Sequence, residues 1–326
     1  MGLDLLAAGD TEGAIRMLRT TGGTSSVPAL AQQAQCLMGA ALAMNGEFRS
    51  TEDAASTLNY PATPPAQAAW KQVLPECVRR LEGIAGRLAP EKRAGLLYYL
   101  GIIGTDETRH IRHLREAIKL RPDFAQASYQ LAMHLLGNNE LDEAISIFRR
   151  VAEQRPEWAE PRNYIGMALT LSGRPAEAIR ELQEAVKILP EFAAARGQLG
   201  LALYLTGDHD NALVECGRAI RHEPEDPFHH YCAAVVLLEK NRSADAVAYA
   251  RRATPLAPRH ETYQVVLAAA LEANGQQEEA LLTMRGALAA EARLRTDPKR
   301  LEKSHLLRGR ALASALQVLQ KAASAK

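Results

Sequence analysis

Histidines and cysteines are the residues of this sequence whose chemistry and grouping come nearest to a reactive or metal-binding site. One histidine group comprises His209, His222, His229 and His230. A neutral imidazole is a common zinc ligand, but these four fall at predicted turns and helix starts, which favours ordinary surface histidines over a metal site. His110 and His113 are three residues apart on a predicted helix and could share a ligand, although the sequence places no third ligand beside them.

The sequence lacks the motifs on which most catalytic sites are built. It contains no glycine-rich phosphate loop, no nucleophile-elbow pattern and no His-Glu-x-x-His metal motif. The cysteines are widely spaced, at Cys36, Cys77, Cys216 and Cys232. None forms the close pair of a zinc or redox motif, so a reducing compartment is the simplest interpretation, and Cys216 should behave as a small apolar core residue. We predict a protein that is not an enzyme and has neither cofactor nor metal.

The composition indicates a folded chain without a strong electrostatic field. Hydrophobic residues make up 47% of the 326, which excludes a mainly disordered protein. The 39 Lys and Arg residues nearly balance the 38 Asp and Glu residues, so specific nucleic-acid binding is not expected. Residues 293–326 carry nine basic and two acidic side chains. This tail could contact nucleic acid or acidic lipid, but the solvated outer face of a capping helix is the favoured interpretation.

The start of the chain and its hydropathy bear on location. Asp4 and Asp10 precede the first basic residue, Arg16, and no apolar run approaches the roughly 18 residues of a membrane span. If Met1 is the true start, we expect a cytoplasmic protein with neither signal peptide nor membrane span.

A period of 34 residues organises the chain between its flanks. Five prolines follow this period, Pro122, Pro156, Pro190, Pro224 and Pro258. Five alanines follow it independently, Ala144, Ala178, Ala212, Ala246 and Ala280. A fixed period of this length is typical of a repeat architecture and is not required by a generic helical bundle, which we disfavour for that reason.

Each unit of this period has the pattern of two helices. In residues 125–158, Leu131 and Leu135 lie on one face of a first helix, and Ala144, Phe148 and Val151 lie on one face of a second. Position 15 of successive units carries Asn139, Gly173, Gly207, Asn241 and Gly275. Both residue types tolerate the left-handed conformation that ends a helix, so this position predicts the turn, and the proline then ends the second helix.

These residues resemble the tetratricopeptide repeat family. The unit that matches best carries Ile165-Gly166, Leu169, Gly173, Ala178, Leu182, Ala185 and Pro190. Six units follow in register, 91–124, 125–158, 159–192, 193–226, 227–260 and 261–294. The first has His110 where the family has alanine, and the last has Ala292 in place of proline. The resemblance implies an all-α fold, a right-handed superhelical solenoid of helical hairpins.

The flanks of the six units fit the pattern less well. We predict degenerate tetratricopeptide-like hairpins in residues 1–60, a helical connector in 61–90 that Pro75 interrupts, and a basic C-terminal capping helix in 295–326. One side of this last helix should be lined by Leu301, Leu312, Leu316 and Leu319. The spacing from Met1 matches the later part of a repeat, so either the chain begins with a shortened cap or the natural protein starts upstream.

One side of the first helices is the candidate binding surface. Positions 4, 7 and 11 of each unit should pack within the hairpin, whereas positions 2, 5, 9 and 12 lie on the other side, here called the groove face. In the tetratricopeptide family this side receives partner peptides. Its apolar residues and their neighbours are Tyr129, Met133, Met167, Leu201, Tyr204, Phe228, Tyr231 and Val235. Polar selectors would be Gln126, Glu160, Asn163, Thr170 and Gln198.

This apolar stripe has two interpretations, a groove for a peptide with apolar anchors or packing between adjacent first helices. We predict a protein-interaction scaffold or adaptor that binds a peptide segment of a partner. The alternative is the repeat arm of a larger multidomain enzyme, for example a glycosyltransferase-like protein, that recruits its substrate. Tyr129 and Met133 stand where chaperone-binding members of the family carry lysine and asparagine, so that subtype is not predicted.

Overall fold

The computed structural model describes residues 2–22, 28–45, 64–103, 106–258, 260–290, 307 and 309–324, which form seventeen α-helices and no strand. The predicted all-α class is confirmed. The chain divides into two compact units, Met1–Gln154 and Arg155–Lys326. None of the helices in the described ranges is long and apolar enough to cross a membrane.

The described residues of the first compact unit form eight helices. They are α1 (Gly2–Ala7), α2 (Thr11–Gly22), α3 (Pro28–Met44), α4 (Pro64–Ala85), α5 (Pro90–Leu100), α6 (Glu107–Leu120), α7 (Ala125–Gly137) and α8 (Leu141–Gln154). α3 packs against α2, α4 and α5, and the later helices pack in chain order. Gly95 on α5 permits a close approach to α3, because a Cβ there would lie 2.9 Å from the carbonyl carbon of Ala43.

The groove face of α5 is covered at position 9 by the N-terminal part of the chain. Tyr99 occupies this position and is fully buried. Its ring lies directly over Gly39 on α3, where an added Cβ would be 2.5 Å from Tyr99 Cε2. Tyr99 therefore has a packing role.

α4 differs from the connector predicted from the sequence, because the helix continues through Pro75. A proline inside a helix removes one hydrogen bond and crowds the preceding turn, but helical turns on both sides can hold it in place. Leu74 and Cys77 next to it are buried, so packing on the neighbouring helices stabilises the helix across the proline.

The second compact unit contains nine described helices. They are α9 (Ala159–Leu171), α10 (Pro175–Ile188), α11 (Ala193–Thr206), α12 (His209–His222), α13 (Pro227–Glu239), α14 (Ser243–Leu256), α15 (Glu261–Ala273), α16 (Gln277–Ala290) and α17 (Gly309–Ser324). The first eight form four hairpins, and the second helix of each packs on the first helix of the next. The first helices α9, α11, α13 and α15 also contact one another in order. This is the stacking of a helical solenoid.

The structure confirms the roles that the 34-residue period predicts for the turn residues and the recurring alanines. The backbone φ is positive at all five predicted turn residues, Asn139, Gly173, Gly207, Asn241 and Gly275. The five periodic alanines have no exposed surface. Small side chains at these points let the two helices of a hairpin approach closely.

Two disulfide bonds join the four cysteines, Cys36 with Cys77 and Cys216 with Cys232. The expected burial of Cys216 is confirmed, whereas the sequence did not predict that the cysteines pair. The partners are separated by 41 and 16 residues. Only the packing of α3 on α4 and of α12 on α13 brings them together.

Candidate functional site

On α7, in the first compact unit, the predicted groove-face residues are partly accessible. Gln126, Tyr129 and Met133 are each half-buried. The Tyr129 ring packs edge-on against Phe148 of α8, with 5.7 Å between ring centroids. On its groove face α7 thus presents the polar side chain of Gln126 and the large side chains of Tyr129 and Met133.

In the second compact unit the predicted residues divide into two sets. The buried set is Asn163, Thr170, Leu201, Tyr204, Tyr231 and Val235. The accessible set is Glu160, which is exposed, with Met167, Gln198 and Phe228, which are half-buried. Contacts between neighbouring first helices account for the buried apolar members. Packing is thus a role of Leu201, Tyr204, Tyr231 and Val235.

Part of the accessible apolar surface of this face lies on α9. Met167 is half-buried, and Leu171, one helical turn later on the same side, is 39% exposed. The sequence reading did not include Leu171, although its spacing of four residues from position 9 could have identified it. An exposed leucine beside a half-exposed methionine forms a small apolar ridge on which another chain could bury surface.

Asn163 lies one turn before Met167 on α9 and adds an unsatisfied acceptor. Its side chain is 6% exposed, and Oδ1 has no hydrogen-bond partner among the described residues. A buried acceptor left without a donor costs about 1–3 kcal/mol. The nearby Thr170 differs, because its hydroxyl donates to the Gly166 carbonyl at 2.8 Å. Asn163 Oδ1 is therefore a buried acceptor with almost no accessible surface and without a donor among the described residues.

Ion pairs join the two helices of the hairpins that carry the groove face. Arg162 Nη1 lies 3.0 Å from Glu181 Oε2, and Arg196 Nη1 lies 2.6 Å from Glu215 Oε2. Glu215 also accepts a hydrogen bond from Arg218 at 2.6 Å. These guanidinium groups are engaged within the fold, so an acidic ligand has no evident partner among them.

The C-terminal helix α17 packs against the first helices α13 and α15 and against α16. Its buried side consists of Ala311, Ala315, Val318, Leu319 and Ala322. Of the leucines predicted to line this helix, Leu319 is buried and Leu312 and Leu316 are half-buried, while Leu301 lies outside the described residues. The side of α17 that packs on its neighbours is therefore the side that carries the alanines, whose small side chains allow a close approach.

Two glutamates of the groove face hold α17 through polar contacts. Glu239 lies one turn after Val235 on α13, and its Oε1 accepts from the Ala311 backbone N–H at 3.0 Å. Glu272 stands at position 12 of its unit on α15, where its Oε1 accepts from Gln317 Nε2 at 2.9 Å and pairs with Lys321 Nζ. A helix with an apolar buried side and a paired lysine, α17, therefore already lies on the groove face of the last two units.

The histidine group differs from its prediction as surface residues. His222 is exposed, but His229 and His230 are buried. His230 Nε2 lies 2.7 Å from the Pro224 carbonyl. His229 Nε2 lies 3.6 Å from Glu223 Oε2 and 3.9 Å from Asp226 Oδ2, and burial lowers the pKa of His229 against the opposing effect of these carboxylates. The surface interpretation is wrong for His229 and His230 because stacking on the neighbouring hairpin covers the start of α13.

The side chains of His110 and His113 contact different partners. His113 is buried with its Nε2 3.2 Å from Glu82 Oε1 on α4. The His110 ring instead packs against His134, with 5.4 Å between centroids. Burial lowers the pKa of both His110 and His113.

Comparisons with known proteins agree with this architecture. Residues 111–163 and 169–234 match the family model described as tetratricopeptide repeat. None of the curated protein sequences compared with the chain matches it.

Several solved structures are similar to part of the chain. YrrB, a TPR protein with an unusual peptide-binding site, is 21% identical over 56% of this chain and 88% of its own, with a TM-score of 0.41. TTC0263, a thermophilic TPR protein of Thermus thermophilus, is 23% identical over 56% and 97%, with a TM-score of 0.44. MamA of Desulfovibrio magneticus is 19% identical over 55% and 94%, with a TM-score of 0.43.

Proposed function

We propose that this chain, which matches the tetratricopeptide-repeat family model over residues 111–163 and 169–234, is a protein-interaction scaffold that binds an amphipathic segment of a partner on the groove face of α9 and α11. The segment carries apolar anchors and at least one basic side chain.

The observation that carries this proposal is the position of α17. This helix buries an apolar side against the first helices α13 and α15, while Lys321 pairs with Glu272. The same face of α9 presents Met167 and Leu171 as apolar surface and Glu160 as an exposed carboxylate. A partner segment resembling α17 in chemistry would find the same kinds of contact on α9. Amphipathic segments that dock on helical grooves use such anchors at helical spacing.

Asn163 gives the proposed site a polar selector. Its Oδ1 has almost no accessible surface, so a donor of the bound segment would reach it only after a rotation of the Asn163 side chain, and the hydrogen bond would then remove the cost of leaving this acceptor unsatisfied. Gln198 on α11 is half-buried and can offer both a donor and an acceptor. Apolar anchors supply affinity, and these amides restrict which segment fits.

The proposal is tested by placing a photo-crosslinking residue at Met167 and, as a control, at Val214 on α12. Val214 is 49% exposed and lies on a second helix, away from the groove face. Partner chains cross-linked from position 167 and not from position 214 are candidates, and the cross-linked peptide identifies the bound segment. Equal capture from both positions would contradict the assignment of the face.

The identified segment is then titrated against Met167→Glu and Leu171→Glu, with Leu282→Glu as a matched control because Leu282 is 71% exposed on α16. Each buried apolar anchor contributes about 1–3 kcal/mol, so each groove variant should bind roughly tenfold to a hundredfold more weakly. Thermal unfolding should be unchanged, since these side chains are accessible. Unchanged affinity in both groove variants would refute the proposal. Leu201→Glu is unsuitable, because Leu201 is buried and a glutamate there would destabilise the fold in either case.

A further inference from the structure

The turn between α12 and α13 brings together an imidazole and two carboxylates. The separations are 3.6 Å from His229 Nε2 to Glu223 Oε2 and 3.9 Å to Asp226 Oδ2. The three ligand atoms all lie within 4.8 Å of one another. At metal–ligand distances of about 2.0–2.2 Å, a tetrahedral zinc ion separates its ligand atoms by about 3.3–3.6 Å. A rotation of the exposed Glu223 side chain, with a small adjustment at Asp226, would bring the atoms to that spacing.

His229 is the second, independent observation at this turn. The side chain has no exposed surface, and neither ring nitrogen has a hydrogen-bond partner among the described residues. The carboxylate oxygens are too distant for direct hydrogen bonds, which need about 2.7–3.2 Å. A buried imidazole is ordinarily satisfied, so this ring is directed at two carboxylates without a bond to either.

The neighbouring helix fixes the direction of this imidazole. Gly197 on α11 leaves room for the ring, and a Cβ at that position would lie 2.5 Å from His229 Nδ1 and 3.1 Å from Phe228 Cε1. Asp226 is held as well, because its Oδ1 accepts from the Phe228 backbone N–H at 2.8 Å. That bond leaves Asp226 Oδ2 facing the imidazole. Two of the three groups are thus positioned before any ligand binds.

We propose that Glu223, Asp226 and His229 form a binding site for a divalent transition-metal ion, with zinc the best match. One imidazole nitrogen and two carboxylate oxygens are ligands that zinc accepts, whereas calcium and magnesium prefer oxygen ligands alone. Three protein ligands leave a fourth position for water or for a group of a bound partner. The ion would tie the exposed turn to the buried start of α13, independently of the groove face of α9.

The test is a zinc titration of the full chain in competition with a chromophoric chelator, with cobalt as a second, spectroscopic probe. We expect one zinc ion per chain at this site. Glu223→Gln and His229→Gln should each weaken its binding tenfold or more. Zinc should also raise the unfolding temperature of the wild type, since a ligand that binds only the folded state stabilises it. It should have little such effect in Glu223→Gln.

Two control variants separate this site from adventitious binding. Glu225→Gln removes an exposed carboxylate from the same turn, and His222→Gln removes an exposed imidazole nearby. Both should bind zinc within twofold of the wild type. If His229→Gln fails to fold, Glu223→Gln still decides the question, because that side chain is 54% exposed and its loss should not disturb packing. Equal zinc affinity in Glu223→Gln and the wild type, or no zinc binding by the wild type, would overturn the proposal.

Discussion

Gly166 on α9 lies at a close crossing between the two helices of its hairpin. A Cβ at this position would lie 2.7 Å from Leu182 Cδ2 and 2.9 Å from Cδ1, and closer still to Cγ. Leu182 on α10 has no exposed surface. Because favourable contacts between carbon atoms lie at about 3.5–4.0 Å, an alanine at position 166 must push the helices apart or force Leu182 out of its rotamer. Rotation about the terminal bond cannot relieve the overlap, since it includes Cγ.

The expected effect of Gly166→Ala is the difference between two opposing terms. Alanine is favoured over glycine in a helix interior by about 1 kcal/mol. Overpacking a dense core costs about 1–3 kcal/mol, and the overlap with three atoms of one side chain places this case toward the upper end. We therefore expect a net decrease of roughly 1–2 kcal/mol in the free energy of unfolding. Gly217→Ala on α12 is the matched control, because a Cβ there meets nothing within 4 Å. It should stabilise the chain by about 0.5–1 kcal/mol.

The assay is urea denaturation followed by circular dichroism, with both substitutions also made in a Leu182→Ala background. Leu182→Ala alone should cost about 2–5 kcal/mol through the cavity it leaves. In that background Gly166→Ala should become neutral or stabilising, because its methyl group enters the vacated space. A double-mutant cycle isolates this coupling. If Gly166→Ala stabilises the wild type as much as Gly217→Ala does, or has the same effect in both backgrounds, the inference of a close crossing is refuted.

Three further predictions concern charges. Arg196→Met should lower the free energy of unfolding by about 1–3 kcal/mol, because it removes one partner of the nearly buried Glu215 carboxylate. Arg174→Met, at the exposed pair with Glu177, should lower it by under about 1 kcal/mol. Equal losses for the two variants in chemical denaturation would contradict this prediction. Lys321→Glu should loosen α17 and speed its cleavage in limited proteolysis, and adding Glu272→Lys should restore protection; a double reversal as labile as the single change would argue against the pair. Burial lowers the pKa of His113, so its imidazole is neutral in the fold and stability should fall as pH drops below about 6.5, where the unfolded chain takes up a proton. The fall in unfolding temperature with decreasing pH should be smaller in His113→Gln than in the wild type. An equal fall in both would mean that other groups cause it.

Much of the hairpin architecture follows from the sequence alone, because its signals are local and repeated. A helix that must turn back within two residues needs a left-handed residue, and asparagine or glycine stands at each such point with positive φ. Two helices that cross closely need a small side chain, and the periodic alanines are fully buried. Proline follows five of the second helices, which it ends because it cannot donate the next hydrogen bond. One period therefore predicted both the elements and their order.

The candidate sites were less predictable, because exposure depends on which helices pack on each face. Leu201 and Met167 occupy the same position of successive units, yet Leu201 is buried and Met167 is partly exposed. Repeat position indicates which side of a helix a residue occupies. It does not indicate what else covers that side, so the docking of α17 could not be read from the period.

His229 and the cysteines show the same limit most clearly. The sequence placed His229 at a helix start, where histidines are ordinarily exposed, but the neighbouring hairpin buries it against the glycine at position 197 and directs it toward two carboxylates. Cys36 and Cys77 are 41 residues apart, and only the packing of α3 on α4 brings them together. The sequence by itself determined the repeating hairpin, because that depends on interactions between residues near one another in the chain. Tertiary structure alone decided burial, partners and the proposed metal site, because these depend on contacts between residues that the sequence separates.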